Sequence, residues 1–142
     1  MKTLFEIDSK NENDTSVFAG EMAKILTGGD IIALNGDLGS GKTFFVKCLC
    51  KIYNINLVTS PTFAIVNEYI GLQKVFHFDF YRINKLNELF DVGFQDYLND
   101  ESAIIFIEWA DLFKELLPKT YYEVKFAIVE DNLRRITVIK HE

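Results

Sequence analysis

Residues 36–43 read Gly36-Asp37-Leu38-Gly39-Ser40-Gly41-Lys42-Thr43, set between the apolar run Asp30-Ile31-Ile32-Ala33-Leu34-Asn35 and a helix-like stretch from Thr43 to Tyr53. Strand, glycine-rich turn, Lys-Thr and helix follow one another in the order of a G-x-x-x-x-G-K-T phosphate loop. The spacing has a chemical reason. Glycines without Cβ atoms let successive backbone N–H groups turn inward around an anion, the lysine reaches the β- and γ-phosphates, and the final hydroxyl is placed for Mg²⁺. The helix behind the loop turns its positive end toward the same anion. These positions predict a nucleoside triphosphate site, with Asp37, Leu38, Gly39, Ser40, Gly41, Lys42, Thr43 and Phe44 around the phosphates.

The rest of the chain limits what such a site serves. At 142 residues it fits one domain, residues 1–142, with little room for a separate substrate domain. About half the residues are apolar and thirteen are Phe, the composition of a globular protein. No apolar run approaches the ~18 residues of a membrane span, and the polar stretch Ser9-Lys10-Asn11-Glu12-Asn13 does not fit a signal peptide, so no membrane role and a cytoplasmic location are expected. Cys48 and Cys50, the only cysteines, are two apart in a helix and read as reduced packing residues. Acidic residues outnumber basic ones by 21 to 15, for a net charge of -6, which argues against direct nucleic-acid binding.

Along the chain, Thr3 to Ile7 predicts a short strand. Phe18, Met22, Ile25 and Leu26 predict a helix face, capped at Asp14 or Thr15 and ended by Gly28-Gly29. Residues 64–69 and 74–81 predict a hairpin around Gly71. In its second strand, alternation sends Phe76, Phe78 and Phe80 to a core face and His77, Asp79 and Tyr81 to the other, read either as a wet face or as part of the site. Short helices follow at residues 84–90 and 94–98. Ala103-Ile104-Ile105-Phe106-Ile107-Glu108 is an apolar run ending in a carboxylate, the pattern of a buried parallel strand that carries an acid to the carboxyl end of the sheet. Glu108 is thus the expected acid for the metal or its water, and Trp109 either walls the site or packs. A short helix is expected over 111–117, and residues 122–129 and 134–139 predict a hairpin completing an edge of the sheet. The fold class expected is α/β: a P-loop NTPase-like three-layer sandwich whose mainly parallel sheet carries antiparallel hairpin additions.

With these pieces placed, the chain resembles the TsaE (YjeE) family, small bacterial ATPases needed for threonylcarbamoyladenosine formation in tRNA. The resemblance runs nearly end to end and rests on the phosphate loop, on Thr59-Ser60-Pro61-Thr62-Phe63 with Val66-Asn67-Glu68-Tyr69, on His77-Phe78-Asp79-Phe80-Tyr81-Arg82 and on Ile107-Glu108-Trp109. It implies ATP as substrate and Mg²⁺ as cofactor, with Thr43 and Glu108 at the metal. It implies catalytic roles for Lys42, Glu108 and Asp79, the last as orienter of the attacking water. Ser60 to Phe63 take the place of a switch-like loop sensing the γ-phosphate. Thr15 and Arg134 match positions that approach the nucleotide. Partners implied are TsaD and TsaB, with tRNA held only through that complex; the oligomeric state is left open.

His77, Tyr81, Arg82 and Trp109 stand as partner contacts or charge stabilisers. A small-molecule kinase is the alternative reading of the loop, but Arg82, Arg134 and Arg135 are the only arginines and none sits in a lid-like insertion. A nucleotide-switched binding module is the third.

Overall fold

The computed structural model describes residues 1–59 and 65–142. Its seven-stranded sheet has the order β1-β7-β6-β2-β5-β4-β3. The strands are β1 (Lys2–Ser9), β2 (Ile31–Gly36), β3 (Val66–Ile70), β4 (Lys74–Asp79), β5 (Ala103–Glu108), β6 (Tyr121–Glu130) and β7 (Leu133–His141). At the centre, β2 pairs in parallel with both β5 and β6, and β4 pairs in parallel with β5. Antiparallel pairings add β3 to β4, β7 to β6 and β1 to β7.

The central strands are buried on both faces, which their continuous apolar runs require. On one face α1 (Glu12–Ala23) and α2 (Lys42–Ile52) lay Phe18, Met22, Phe45 and Leu49 against Ile32, Leu34, Ile104, Phe106 and Val124. On the other, α3 (Leu86–Asp91) and α4 (Phe94–Leu98) bring Leu89 and Phe94 onto Ile105, Ile107 and the rings of Phe76, Phe78 and Phe80. Phe78 meets Phe94 edge to face at a centroid separation of 5.1 Å, and Phe80 does the same at 5.6 Å. The result is one mixed sheet, mostly parallel, with helices on both sides. Cys50 is buried in the first of these cores, Cys48 is half-buried, and both are free thiols.

Four expectations are corrected. The β6–β7 hairpin is interior: β6 joins β2 directly, and β1 runs from Lys2 to Ser9 to cover β7, so β1 forms that edge. The cap of α1 is Asn11, extended at φ -160°, whose side chain accepts from the Asp14 N–H at 2.9 Å. Thr15 does not cap because its hydroxyl is engaged with Ser9 Oγ at 2.7 Å. The strand β4 stops at Asp79, because the Asp79 carboxylate accepts from the Tyr81 N–H at 3.0 Å and starts a 3₁₀ turn over Phe80–Arg82. The helix expected over 111–117 is two 3₁₀ pieces within Ala110–Leu116, broken at Phe113 by φ -138° and ψ 57°.

Gly36, the last residue of β2, shows how closely the neighbouring strand β6 and the following loop approach. A Cβ there meets the Phe126 carbonyl oxygen at 2.5 Å and Ser40 Oγ at 2.7 Å. Backbone does not yield as a flexible side chain does, so Gly36→Ala is expected to destabilise the fold by roughly 1–3 kcal/mol, as overpacking does. Urea denaturation of the variant checks it; unchanged stability disproves the close approach.

Candidate functional site

Four parallel strands end on the same side of the sheet, and the residues at those ends decide the chemistry there. Asp79 and Glu108 are register partners on adjacent strands β4 and β5, and Leu34 of β2 lies opposite Glu108 on its other side. The chain leaves β2 through Gly36, turns with positive φ at Gly39 (76°) and Gly41 (107°), and enters α2 with no side-chain cap on its leading N–H groups. Glycine suits both φ values, and the uncapped helix end leaves backbone donors for an anion.

Lys42 begins α2 and turns back into the loop. Its Nζ donates to the carbonyl oxygens of Gly36 and Asp37, the latter at 3.1 Å, and lies 4.1 Å from the centre of the Trp109 ring. Burial lowers the Lys42 pKa, while the Glu108, Asp79, Asp37 and Asp111 charges act the other way. Thr43 Oγ1 is 3.0 Å from both Glu108 oxygens. Glu108 Oε2 also meets His77 Nε2 at 2.6 Å, and both side chains are buried. Asp79 is buried beside them, and burial holds its carboxyl above the ordinary range, aided by the Glu108 charge and opposed by the Tyr81 N–H.

Two cavities meet at the loop and share Gly39, Ser40, Gly41 and Phe44. One, about 420 Å³, is lined by Lys42, Thr43, Asp79, Glu108, Arg82 and Trp109. The other, about 340 Å³, holds Thr15 and Arg134, and Arg134 also donates to the Gly39 carbonyl at 3.3 Å. Leu38 lies exposed at the loop's rim. Tyr81 stacks at 4.9 Å on Trp109, which itself has φ 58°, unusual for a bulky residue. His77, expected on a wet face or at a partner, is fully buried and offers no surface. The switch-like segment Ser60 to Phe63 lies outside the described residues.

One set of residues escaped sequence reasoning. Asn35 accepts from the Asp111 N–H at 2.9 Å and donates to Glu123 Oε2 at 3.0 Å; Glu123 Oε1 in turn meets His141 Nε2 at 2.8 Å. This chain of bonds ties β2 to the turn after Trp109 and to the end of β7. The partners are too far apart in sequence to form any motif; the one available signal was Glu123 in an otherwise strand-like run.

The site thus belongs to a mixed α/β protein with a glycine-rich turn between its central strand and the helix that follows. A family model described as "Threonylcarbamoyl adenosine biosynthesis protein TsaE" matches residues 9–136. Among curated relatives named tRNA threonylcarbamoyladenosine biosynthesis protein TsaE, that of Rickettsia typhi is 38% identical over 93% of this chain and 92% of its own length. That of Bacillus subtilis is 35% identical over 89% of this chain and 80% of its own. The crystal structure of Bacillus subtilis YdiB superposes with a TM-score of 0.78 at 28% identity, over 100% of this chain and 89% of that one. The chain belongs to the TsaE family.

The Glu123 contacts carry a pH prediction. Burial opposes its charge, but the His141 and Asn35 hydrogen bonds and the Lys125 charge hold its pKa below the ordinary 4.5. A carboxyl depressed on folding adds stability above the unfolded-state value and loses it as pH falls through the folded one. Glu123→Gln is therefore expected to cost roughly 1–3 kcal/mol at pH 7, with the gap to wild type closing below about pH 4.5. Denaturation midpoints from pH 7 to 3 check this; a constant gap refutes it.

Proposed function

We propose that this chain is a Mg²⁺-dependent ATPase, one P-loop domain acting in the cytoplasm, whose nucleotide cycle serves tRNA threonylcarbamoyladenosine formation beside TsaD and TsaB. The observation that carries the reading is the convergence of Lys42, Thr43 and Glu108 at the uncapped N-terminus of α2. The pathway is read from the family model and from the names of the curated relatives. tRNA enters only through the complex, since the chain carries a net charge of -6.

The residues present fit both groups. Gly36 leaves no space for a Cβ, so backbone alone walls the loop, and α2 has N–H donors to spare. Thr43 and Glu108 offer a hydroxyl and a carboxylate, hard oxygen donors in the small number Mg²⁺ takes when phosphate and water supply the rest. The metal would supply positive charge for the β- and γ-phosphate oxygens. Lys42 adds its own charge there, exchanging the loop carbonyls for phosphate. Thr15 and Arg134, in the second cavity, are placed for the remainder of the nucleotide.

In hydrolysis a water oxygen bonds to the γ-phosphorus as the bond to the bridging oxygen of ADP breaks. Asp79 orients that water and accepts its proton. Its raised pKa suits it to hold a proton, whereas Glu108 is committed to Thr43 and His77. Arg82 lines the same cavity and is the internal cation available for the transferred group.

Lys42→Ala removes a charge worth ~1.5–3 kcal/mol per hydrogen bond to phosphate, so titration calorimetry should show at least a roughly tenfold loss of Mg-ATP affinity with the fold intact. Undiminished affinity removes the phosphate loop from the proposal. Asp79→Asn is expected to keep ATP binding and to lower phosphate release by roughly 10²-fold or more. The variant should also be more stable at pH 7, because a carboxyl raised on folding destabilises once ionised, and that gain should vanish as pH falls to where both states are protonated. Phosphate release is expected to be slow for the chain alone and faster with TsaD and TsaB together. Rapid release unaffected by both proteins, or stoichiometric phosphorylation of a small alcohol, supports the kinase instead.

A further inference from the structure

On one face of β4, His77 stands between Val75, which packs into the core with α2, and Asp79 at the strand end. The imidazole is fully buried, and among the described residues its Nδ1 has no hydrogen-bond partner. A leucine or valine there leaves no such unpaired atom. What the imidazole provides in return is the 2.6 Å contact with Glu108 Oε2. A carboxylate accepts hydrogen bonds, so Nε2 carries a proton.

The geometry around Glu108 shows what that bond does. Thr43 Oγ1 is 3.0 Å from Oε1 and 3.0 Å from Oε2, an arrangement that does not distinguish the two oxygens. Held by Thr43 alone, the carboxylate can turn about its last torsion, which is broad for Glu. His77 bonds to one oxygen only and lies on the neighbouring parallel strand, opposite Phe106 in register, where the sheet holds it rigidly. It therefore distinguishes the two oxygens, engaging Oε2 and leaving Oε1 to the cavity.

We propose that His77 is a positioning residue for Glu108, an Nε2–H donor that locks the carboxylate plane so that Oε1 is presented for a divalent cation shared with nucleotide phosphates. The inference rests on the Mg-ATP reading above. Outer partners of this kind typically contribute 10–100-fold to metal affinity by orienting a ligand, without touching metal or substrate.

The test compares His77→Gln, His77→Asn and His77→Leu, each checked for folding by thermal unfolding. Glutamine returns an amide N–H at the depth of Nε2; asparagine carries the same amide one methylene short, at the depth of Nδ1. The probe is the non-hydrolysable analogue adenosine 5′-(β,γ-imido)triphosphate, titrated by calorimetry in EDTA and across a Mg²⁺ series. All folded variants should bind alike in EDTA. The Mg²⁺ concentration that half-saturates the affinity gain should rise roughly 10-fold or more in His77→Asn and His77→Leu and return near wild type in His77→Gln. A packing role predicts Gln and Asn to behave alike, and that result, or unchanged Mg²⁺ dependence in all three, overturns the inference.

Wild-type protein needs no folding control. Its long-range ¹⁵N–¹H spectrum should show the Nε2–H form of His77, and an Nδ1–H form overturns the inference even where no variant folds. Wild-type affinity indifferent to Mg²⁺ overturns the Mg-ATP reading itself and the inference with it.

Discussion

Opposite charges buried where parallel strands end are the constraint on which this site depends. An ammonium or carboxylate taken out of water is costly unless its hydrogen-bonding capacity is met, and here Lys42, Asp79 and Glu108 share one small volume. Each is met differently. The loop's own carbonyls and the face of Trp109 hold the ammonium, Thr43 and His77 hold Glu108, and among the described residues the Tyr81 N–H holds Asp79. Burial raises the Asp79 carboxyl above its ordinary range. The phenyl rings of β4 make this possible from the opposite face, anchoring the strand in a core that has no polar demands.

The same economy explains the turn after β5. Trp109 takes a left-handed conformation and covers Lys42, while its N–H bonds to the Leu34 carbonyl at 2.9 Å and the next turn is pinned through Asp111 to Asn35. Both anchors belong to β2, the strand that also leads into the glycine-rich loop. Loop and turn are thus referenced to one strand, and through Glu123 and His141 that strand is tied to the far end of the chain.

What could be read in advance followed physical locality. The bounds of β5 were legible because a strand buried on both faces must be apolar throughout, and Glu108 was legible as the acid that ends it. The loop was legible because its chemistry is carried by adjacent residues. The cap of α1 was not, since Asn11, Asp14 and Thr15 are all good capping residues and only the tertiary contact with Ser9 removes Thr15. Nor was the place of the last hairpin, because an antiparallel pair fits an edge or an interior alike until β1 is laid beside it. Alternation left the face of His77 open between water and the site; only the pairing with β5 shows the imidazole buried against Glu108. The Asn35, Glu123 and His141 bonds join residues up to 88 positions apart and leave no local trace.

Trp109 is the only tryptophan of the chain, and its ring lies 4.1 Å from the Lys42 ammonium. Indole emission is sensitive to a nearby cation, so the protein carries an optical gauge beside the lysine of the proposed phosphate site. A ligand that draws Lys42 off the ring is expected to alter the protein's fluorescence. The side chain that closes the site over its lysine thereby makes occupancy of that site visible without a label.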